Sequence, residues 1–170
     1  MIFTAINTIA YRVHNPKWAY TPISGNGAGT HGGRVNRPGV NALYLSLELD
    51  TALAEYKQVD ALLPPGLVVS YPIVVDSIVD FRSGFTRNWN ALWQDFHCDW
   101  RKLYFNDGIE PPTWIIGDQV IAAGGKGILF KSVISGGTNL VLYNDALTDS
   151  DSVVAHDPHH MLPKNQDSWS

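Results

Sequence analysis

Residues 32–55 read GGRVNRPGVNALYLSLELDTALAE, and this stretch predicts a turn, a strand and a helix in quick succession. The turn carries Arg34, Asn36 and Arg37 beside glycines, whose backbone has no Cβ and can approach a ligand closely. Arginine guanidinium groups present forked donors that match phosphate oxygens two at a time. The turn is therefore a candidate anion-binding element.

The strand and helix that follow add an aromatic ring, a hydroxyl and a carboxylate. In the predicted strand, residues 42–45, Tyr44 faces away from Leu43 and Leu45 because side chains alternate, and Ser46 ends the strand. The helix is predicted to begin with Asp50 as its N-cap. Its apolar positions are Leu49, Ala52, Leu53, Tyr56 and Val59. Glu55 lies at the border of this apolar stripe, which is an unusual place for a surface charge.

Composition bounds the class of protein. The 170 residues are enough for one domain with a buried core, and 45% of them are hydrophobic and 16% charged. The net charge of −4 argues against a nucleic-acid-binding protein. The single cysteine, Cys98, excludes an internal disulfide and fits a reducing compartment. With no signal-peptide pattern and no apolar run long enough for a bilayer, we expect a cytoplasmic protein without a membrane partner.

The rest of the chain mixes strands and helices irregularly. Strands are predicted at residues 2–13, 67–75, 127–130 and 139–143, helices at 88–104 and 113–123, and a loop at 14–30. The aromatic stripe of the 88–104 helix is interpreted as core. The crossovers are too irregular for a doubly wound parallel sheet. We therefore predict an α+β fold with a small mixed or antiparallel sheet core and flanking helices.

The candidate groups match the three parts of a nicotinamide dinucleotide. Arginines suit the pyrophosphate, a tyrosine face suits a planar cationic ring, and a carboxylate can stabilise positive charge on a sugar. Cleavage of the nicotinamide–ribose bond needs one essential carboxylate, because nicotinamide leaves without protonation. The residue types alone are also compatible with a structural ion pair between Glu55 and Arg12 or Arg34.

A series of motifs resembles the RES-domain family in the same order and over nearly the whole chain. They are Tyr11-Arg12, Gly32-Gly33-Arg34-Val35-Asn36, Gly39, Leu43-Tyr44-Leu45-Ser46, Ala52-Leu53-Ala54-Glu55, Ser132, Gly136-Gly137-Thr138-Asn139, Leu162-Pro163 and Ser168-Trp169. The family comprises toxins of RES–Xre toxin–antitoxin pairs. The resemblance implies a single RES domain over residues 1–170, a fold similar to ADP-ribosyltransferase toxins, and consumption of NAD+.

The resemblance also implies roles for individual residues. Arg12 and Arg34 are expected to hold the NAD+ phosphates or the adjoining ribose, and Tyr44 to lie against nicotinamide. Glu55 is expected to hold the nicotinamide ribose and stabilise the oxocarbenium ion. The implied catalytic residues are Glu55, Arg34 and Tyr44.

Serines complete the implied NAD+ site. Ser132 is the preferred match to the family serine because it precedes the Gly-Gly-Thr-Asn run, and Ser135 is the alternative. Ser46 is a further binding candidate, although it also suits the end of a strand. One departure is Val35, since family members usually have an aromatic residue between the glycine-arginine step and the asparagine.

The expected function is a toxin enzyme that degrades NAD+ by glycohydrolysis or phosphorolysis and arrests growth. Arginine-modifying transferases carry a second glutamate two residues before the catalytic one, and Leu53 occupies that position here. Protein mono-ADP-ribosylation and an inactive binding module are the alternatives. The expected partner is an Xre-like helix-turn-helix antitoxin, a homo-oligomer is left open, and no metal is expected because His156, His159 and His160 lie in tail sequence.

Overall fold

The computed structural model describes residues 1–58 and 60–169. Its framework is a six-stranded mixed sheet in the order β1-β2-β5-β4-β3-β6. The strands are β1 (Phe3–His14), β2 (Ala42–Ser46), β3 (Leu67–Asp80), β4 (Gly127–Lys131), β5 (Thr138–Tyr143) and β6 (Ser152–Val153). The predicted α+β class with a mixed sheet core is confirmed.

The sheet curves until its strands form a ring. β1 and β3 pair antiparallel along almost their whole length, from Phe3 opposite Val79 to His14 opposite Leu67. This additional pairing closes the path β1-β2-β5-β4-β3 back onto β1. In the described part of the chain, β1 and β2 are joined at one register pair, Tyr11 with Ser46. The β3–β4 pair is parallel, and the other pairs are antiparallel.

Two apolar clusters cover the two faces of the sheet, as the alternation in β2 predicts. Leu43 and Leu45 belong to one cluster, with Tyr71 and Leu140. Ala42 belongs to the other, and Tyr44 packs against it. Both faces of the sheet are thus buried around β2, which fixes the direction in which each of its side chains points.

The helices are α1 (Asn26–His31), α2 (Leu49–Lys57) and α3 (Pro112–Ala122). Single 3₁₀ turns lie at Pro16–Trp18, Asn144–Ala146 and Gln166–Trp169. The helix predicted at 113–123 is present with a one-residue shift. The loop predicted throughout 14–30 is wrong at α1, where Gly25 packs so closely on β2 that an added Cβ would lie 2.4 Å from the Ala42 nitrogen. Tertiary packing thus supports a short helix that the local sequence does not predict.

The start of α2 differs from the prediction. Glu48, not Asp50, is the N-cap residue, and Asp50 lies in the first turn, where its charge favours the helix dipole. Thr51 and Ala52 are buried, while Leu49 is exposed, so the burial is shifted from the predicted stripe. Val59, the last predicted stripe position, lies outside the described residues.

The long helix predicted at 88–104 is absent. The segment forms a 3₁₀ turn at Ala91–Asp95 and a π-helical turn at Lys102–Asn106. Trp93 and Phe96 pack with Phe81, which directly follows β3. Their ring centroids lie 4.8 and 4.7 Å from the centroid of the Phe81 ring. Trp93 and Phe96 are core, as interpreted, and Trp89 packs against them, but they reach the core from an irregular backbone. Helical spacing of aromatics alone does not distinguish these two cases.

Candidate active site

A cleft of about 690 Å³ opens beside β1, β2 and α2. This volume lies within the range of about 300–1,000 Å³ typical of small-molecule sites. Among the lining residues are five that the sequence singles out: Arg12, Arg34, Tyr44, Ser46 and Glu55. The cation, aromatic, hydroxyl and carboxylate groups predicted from separate motifs therefore share one hollow.

Glu55 projects from α2 and is held by two donors. The Ser132 hydroxyl donates to Glu55 Oε1 at 2.7 Å, and Asn139 Nδ2 donates to the same oxygen at 2.6 Å. Because both bonds converge on Oε1, Oε2 remains able to accept a hydrogen bond from a ligand in the cleft. The carboxylate is thus fixed in place by its protein contacts and still has a face for substrate.

The loop between β4 and β5 supplies Ser132. Its hydroxyl accepts hydrogen bonds from the backbone N–H groups of Ile134 and Ser135, both at 3.2 Å, while it donates to Glu55. The Ser135 hydroxyl instead lies 2.8 Å from Thr51 Oγ1 on α2. Of the two serines that the sequence leaves open, Ser132 contacts the carboxylate and Ser135 ties the loop to the helix.

Arg12 lies on β1 at the wall of the cleft. Its side chain forms no hydrogen bond or ion pair within residues 1–58 and 60–169. Burial lowers the pKa of its guanidinium, an effect that Tyr71 partly offsets. A partly buried cation without an anionic partner is costly in the free protein, and an anionic ligand would relieve that cost.

Arg34 lies in the turn before β2. Its Nη1 donates to the backbone carbonyl oxygens of Phe96 and Cys98, at 3.1 and 3.0 Å. Burial lowers its pKa, and the largest opposing influence is Cys98. Both bonds use the same nitrogen, so the guanidinium can still donate from Nε and Nη2. Arg34 thus organises the irregular 96–98 backbone and also faces the cleft.

Tyr44 fastens the turn to the floor of the cleft. Its hydroxyl donates to Asn36 Oδ1 at 2.7 Å and accepts from the Val35 N–H at 3.0 Å. Burial raises the pKa of the phenol. Gly33 is required here, because a Cβ at that position would lie 2.5 Å from the Tyr44 oxygen. The ring lines the cleft, and its hydroxyl is committed to the protein.

The turn is also anchored from behind, by α3 and β5. Trp114 Nε1 donates to the Gly33 carbonyl at 2.7 Å, and the Tyr143 hydroxyl donates to the Val35 carbonyl at 2.9 Å. The Val35 side chain is fully buried in one apolar cluster. The residue that departs from the family pattern is therefore a core residue, and it does not line the cleft.

Arg37, the other arginine of the turn, faces elsewhere. It pairs with Asp118 and Glu110, at 2.5 and 2.9 Å. The hydrogen bonds that its guanidinium donates to Asp118 are the main cause that raises its pKa. Its charge is neutralised by these carboxylates, so it is a structural residue between the turn and α3.

The sequence reasoning missed several lining residues. They are His97, Trp100, Arg101, Lys131 and Asn139, among others. Three of these fall in the segment interpreted as a core helix, which hid their position at the cleft. Asn139 stands inside the quoted Gly-Gly-Thr-Asn motif, and its place beside a strand end was a usable signal.

His97 and Arg101 make this wall of the cleft polar. Burial, and secondarily the charge of Arg34, lowers the pKa of the His97 imidazole. The Arg101 guanidinium carbon lies 4.9 Å from the centroid of the Trp100 ring, a cation–π contact. Together with Arg12 and Arg34 these groups make the cleft favourable to anions.

Other functional features are sparse. Within residues 1–58 and 60–169 there is no group of three histidine, cysteine, aspartate or glutamate residues that could hold a metal ion. Burial raises the pKa of the Cys98 thiol, so it is less readily ionised than a free cysteine. Among those same residues, no helix is both long and apolar enough to cross a bilayer.

Residues 9–165 match the RES domain family, which is more than nine-tenths of the sequence. The chain belongs to this family. A solved structure with a similar fold is a chain of the crystal structure of the M. tuberculosis MbcT–MbcA toxin–antitoxin complex. It is 17% identical, with a TM-score of 0.57, over 90% of this chain and 86% of that one. At 17% identity, the similarity between this RES domain and that chain is a similarity of fold. No curated protein matches the chain.

Proposed function

We propose that this RES domain cleaves the nicotinamide–ribose bond of NAD+ and serves as the toxin of a toxin–antitoxin pair. The observation that carries the proposal is the convergence of Arg12, Arg34, Tyr44 and Glu55 on one cleft. In this cleft the carboxylate is fixed through one oxygen and the other is available to substrate. The same function is supported by membership of the RES domain family and by the similar fold of a chain in a toxin–antitoxin complex.

In the proposed reaction, the bond between ribose C1′ and the nicotinamide nitrogen breaks. Its electron pair goes to the pyridinium nitrogen, so nicotinamide leaves as a neutral molecule. Positive charge develops on the sugar as an oxocarbenium ion, and the Glu55 carboxylate stabilises it electrostatically or through the ribose hydroxyls. A water oxygen then forms the new bond to C1′ and loses a proton to solvent, or an ionised phosphate oxygen forms that bond with no proton to lose.

The other groups bind the substrate. Arg12 and Arg34 are proposed to contact the pyrophosphate or the adjoining ribose, since a guanidinium can bond to two oxygens of such a group at once. The Tyr44 ring is proposed to lie against nicotinamide. Ser132 holds the carboxylate by the hydrogen bond described above, which is the role we propose for the family serine.

We propose water or phosphate as the acceptor. Leu53, two residues before Glu55, is a half-buried apolar residue and cannot activate an incoming guanidinium. Loss of NAD+ from the cytoplasm would then account for growth arrest. The proposed partner is a helix-turn-helix antitoxin that covers the cleft, and the proposed functional unit is a single RES domain over residues 1–170.

The test is nicotinamide release from NAD+ by the purified chain, compared with Glu55→Gln. We expect the variant to lose at least about 100-fold in kcat, because the stabilising charge is gone while the size is kept. Glu110→Gln is the matched control, since Glu110 is exposed and paired with Arg37 away from the cleft. Equal rates for the wild type and Glu55→Gln would refute the proposal.

Labelled NAD+ separates the acceptors. Free ADP-ribose or its phosphorylated form indicates degradation, whereas label retained on a protein band indicates transfer. The cellular counterpart is the NAD+ level after induction of the wild type and of Glu55→Ala. Growth arrest that persists in Glu55→Ala without loss of NAD+ would favour a binding module.

A further inference from the structure

We propose that Ser46 and Asn139 form a hydrogen-bond relay that positions Glu55, so that both are positioning residues for the reaction. This inference rests on the proposed NAD+ cleavage and assigns roles within the same site. It also changes the role of Ser46 from a ligand contact to a group that acts through Asn139.

The relay lies where β2 ends and its antiparallel partner β5 begins. Ser46 is the last residue of β2 and lies opposite Asn139 of β5. The Ser46 hydroxyl donates to Asn139 Oδ1 at 2.8 Å, and Asn139 Nδ2 donates to Glu55 Oε1 at 2.6 Å. Ser46 and Asn139 are only 3% and 8% exposed. The sheet thus presents a fixed donor to the carboxylate on α2.

The order of donors and acceptors gives the relay a direction. A carboxylate accepts hydrogen bonds, so it must meet the NH₂ end of the Asn139 amide. The amide oxygen then points at Ser46, whose hydroxyl can donate to it. A flipped amide would place its oxygen against the Glu55 carboxylate, which is repulsive. Ser46 therefore selects the amide orientation that holds Glu55.

The consequence concerns the geometry of the carboxylate. A glutamate side chain on a helix surface samples several rotamers, and each wrong one displaces the charge from the sugar. Asn139 from β5 and Ser132 from the β4–β5 loop hold the same oxygen from two directions. Removal of the relay leaves one of these supports. A displacement of about 1 Å can cost about 100-fold in rate.

Ser46 has no hydroxyl proton left to donate to a ligand. Its hydroxyl has a single proton, and that proton is used in the bond to Asn139. Its backbone is also paired with both neighbouring strands, at Tyr11 and Asn139. The residue that the sequence suggests as a binding group is therefore an internal support.

The first test compares Asn139→Leu and Ser46→Ala with the wild type in steady-state nicotinamide release. We expect kcat to fall about 10–100-fold in Asn139→Leu and less in Ser46→Ala, with KM within about twofold, because substrate contacts remain. Asn144→Leu is the matched control, since this asparagine just beyond β5 bonds the Ile23 carbonyl, away from the cleft. A rise in KM with unchanged kcat would overturn the relay and indicate direct substrate contact.

The second test is the pH profile of Asn139→Asp. Two carboxylates at this spacing share one proton, and the shared proton restores the lost hydrogen bond. We expect kcat of this variant to rise as the pH is lowered, in contrast to the wild type, whereas a purely structural role predicts parallel profiles. The other charged or titratable groups that line the cleft are Tyr11, Arg12, Arg34, Tyr44, Tyr56, His97, Arg101 and Lys131.

The outcomes separate the two proposals. A wild-type chain that releases no nicotinamide refutes NAD+ cleavage itself. An active wild type with unchanged kcat in folded Asn139→Leu and Ser46→Ala refutes the relay alone. If Asn139→Leu fails to fold, Ser46→Ala decides, because it removes one oxygen and keeps the backbone pairing.

Discussion

At the scale of single residues, Arg12 is the group whose burial most clearly destabilises the folded protein without ligand. Its guanidinium is partly buried in the cleft wall, and burial lowers its pKa. A desolvated charge without a partner destabilises the folded state, which is tolerated where function requires it. Stability and binding should therefore respond in opposite directions when this charge is removed.

We predict that Arg12→Met stabilises the free protein by about 0.5–2 kcal/mol, because methionine keeps much of the aliphatic stem without the charge. We also predict that KM for NAD+ rises by about tenfold or more, because the proposed charged hydrogen bond to substrate is lost. Chemical denaturation and steady-state kinetics measure the two effects.

The control for this change is Arg87→Met at an exposed arginine. It should leave both quantities close to the wild type. A loss of stability in Arg12→Met comparable to a core truncation would contradict the interpretation and assign Arg12 a structural role.

The sequence predicted which residues share the cleft better than it predicted their contacts. The motif residues Arg34, Tyr44 and Glu55 do line one hollow. Their partners depend on long-range packing, such as the Phe96 and Cys98 carbonyl groups that accept from Arg34. The local sequence around Arg34 does not indicate that backbone carbonyl groups more than sixty residues away are free to accept its hydrogen bonds.

At the scale of elements, the β4–β5 loop is docked against α2. Glu48 accepts the Thr138 N–H at 2.8 Å, and Thr51 bonds Ser135. Gly137 permits this docking, because an added Cβ would lie 2.0 Å from Thr51 Oγ1. These contacts hold the helix that carries Glu55 and the loop that carries Ser132 in a fixed relative position.

We predict that Gly137→Ala destabilises the fold by about 1–3 kcal/mol, because buried Thr51 has little room to move away. Nicotinamide release should also slow, since Ser132 would shift relative to Glu55. Denaturant midpoints and kcat are the measurements.

Gly27→Ala serves as the stability control for that variant. Gly27 lies in α1, and an added Cβ would have nothing within 4 Å. Because alanine favours helix by up to about 1 kcal/mol over glycine, the stability of this variant should be equal or higher. Equal stability of Gly137→Ala and the wild type would show that the loop is not tightly docked.

Strands and α3 were predictable because their apolar residues coincide with the buried positions. The 88–104 segment was not, because aromatic side chains at helical spacing also fill a core from an irregular backbone. Trp93, Phe96 and Phe81 pack as a cluster, and Arg34 satisfies the freed carbonyl groups. The competing force there is tertiary packing, which overrides local propensity.

At the scale of the whole molecule, His14 couples stability to pH. Burial is the larger cause and the charge of Arg12 the smaller cause that lower its pKa to about 3. Its Nε2 contacts the Tyr71 hydroxyl, which in turn donates to the Pro22 carbonyl at 2.8 Å. The neutral imidazole is thus the form that the fold accommodates.

We predict that stability falls as the pH drops from about 6.5, the usual histidine value, towards 3. In this window the unfolded chain binds a proton that the folded chain excludes, so the free energy of unfolding decreases by up to about 1.4 kcal/mol per pH unit. His14→Gln, which keeps a donor for Tyr71, should flatten this slope in pH-dependent denaturation.

His31→Gln at an exposed histidine is the matched control and should keep the wild-type slope. His97 contributes with the same sign, since its pKa is also lowered. A slope unchanged in His14→Gln would indicate that other groups dominate the acid response.

The single register pair between β1 and β2 has a mechanical consequence. Arg12 stands on β1 next to Tyr11, and β2 leads through Ser46 into the helix that bears Glu55. A dinucleotide that contacts both sides would brace the weakest junction of the strand ring. Occupancy of the cleft should therefore rigidify the entire barrel-like framework, and hydrogen exchange along β1 and β2 should slow when substrate analogue is bound.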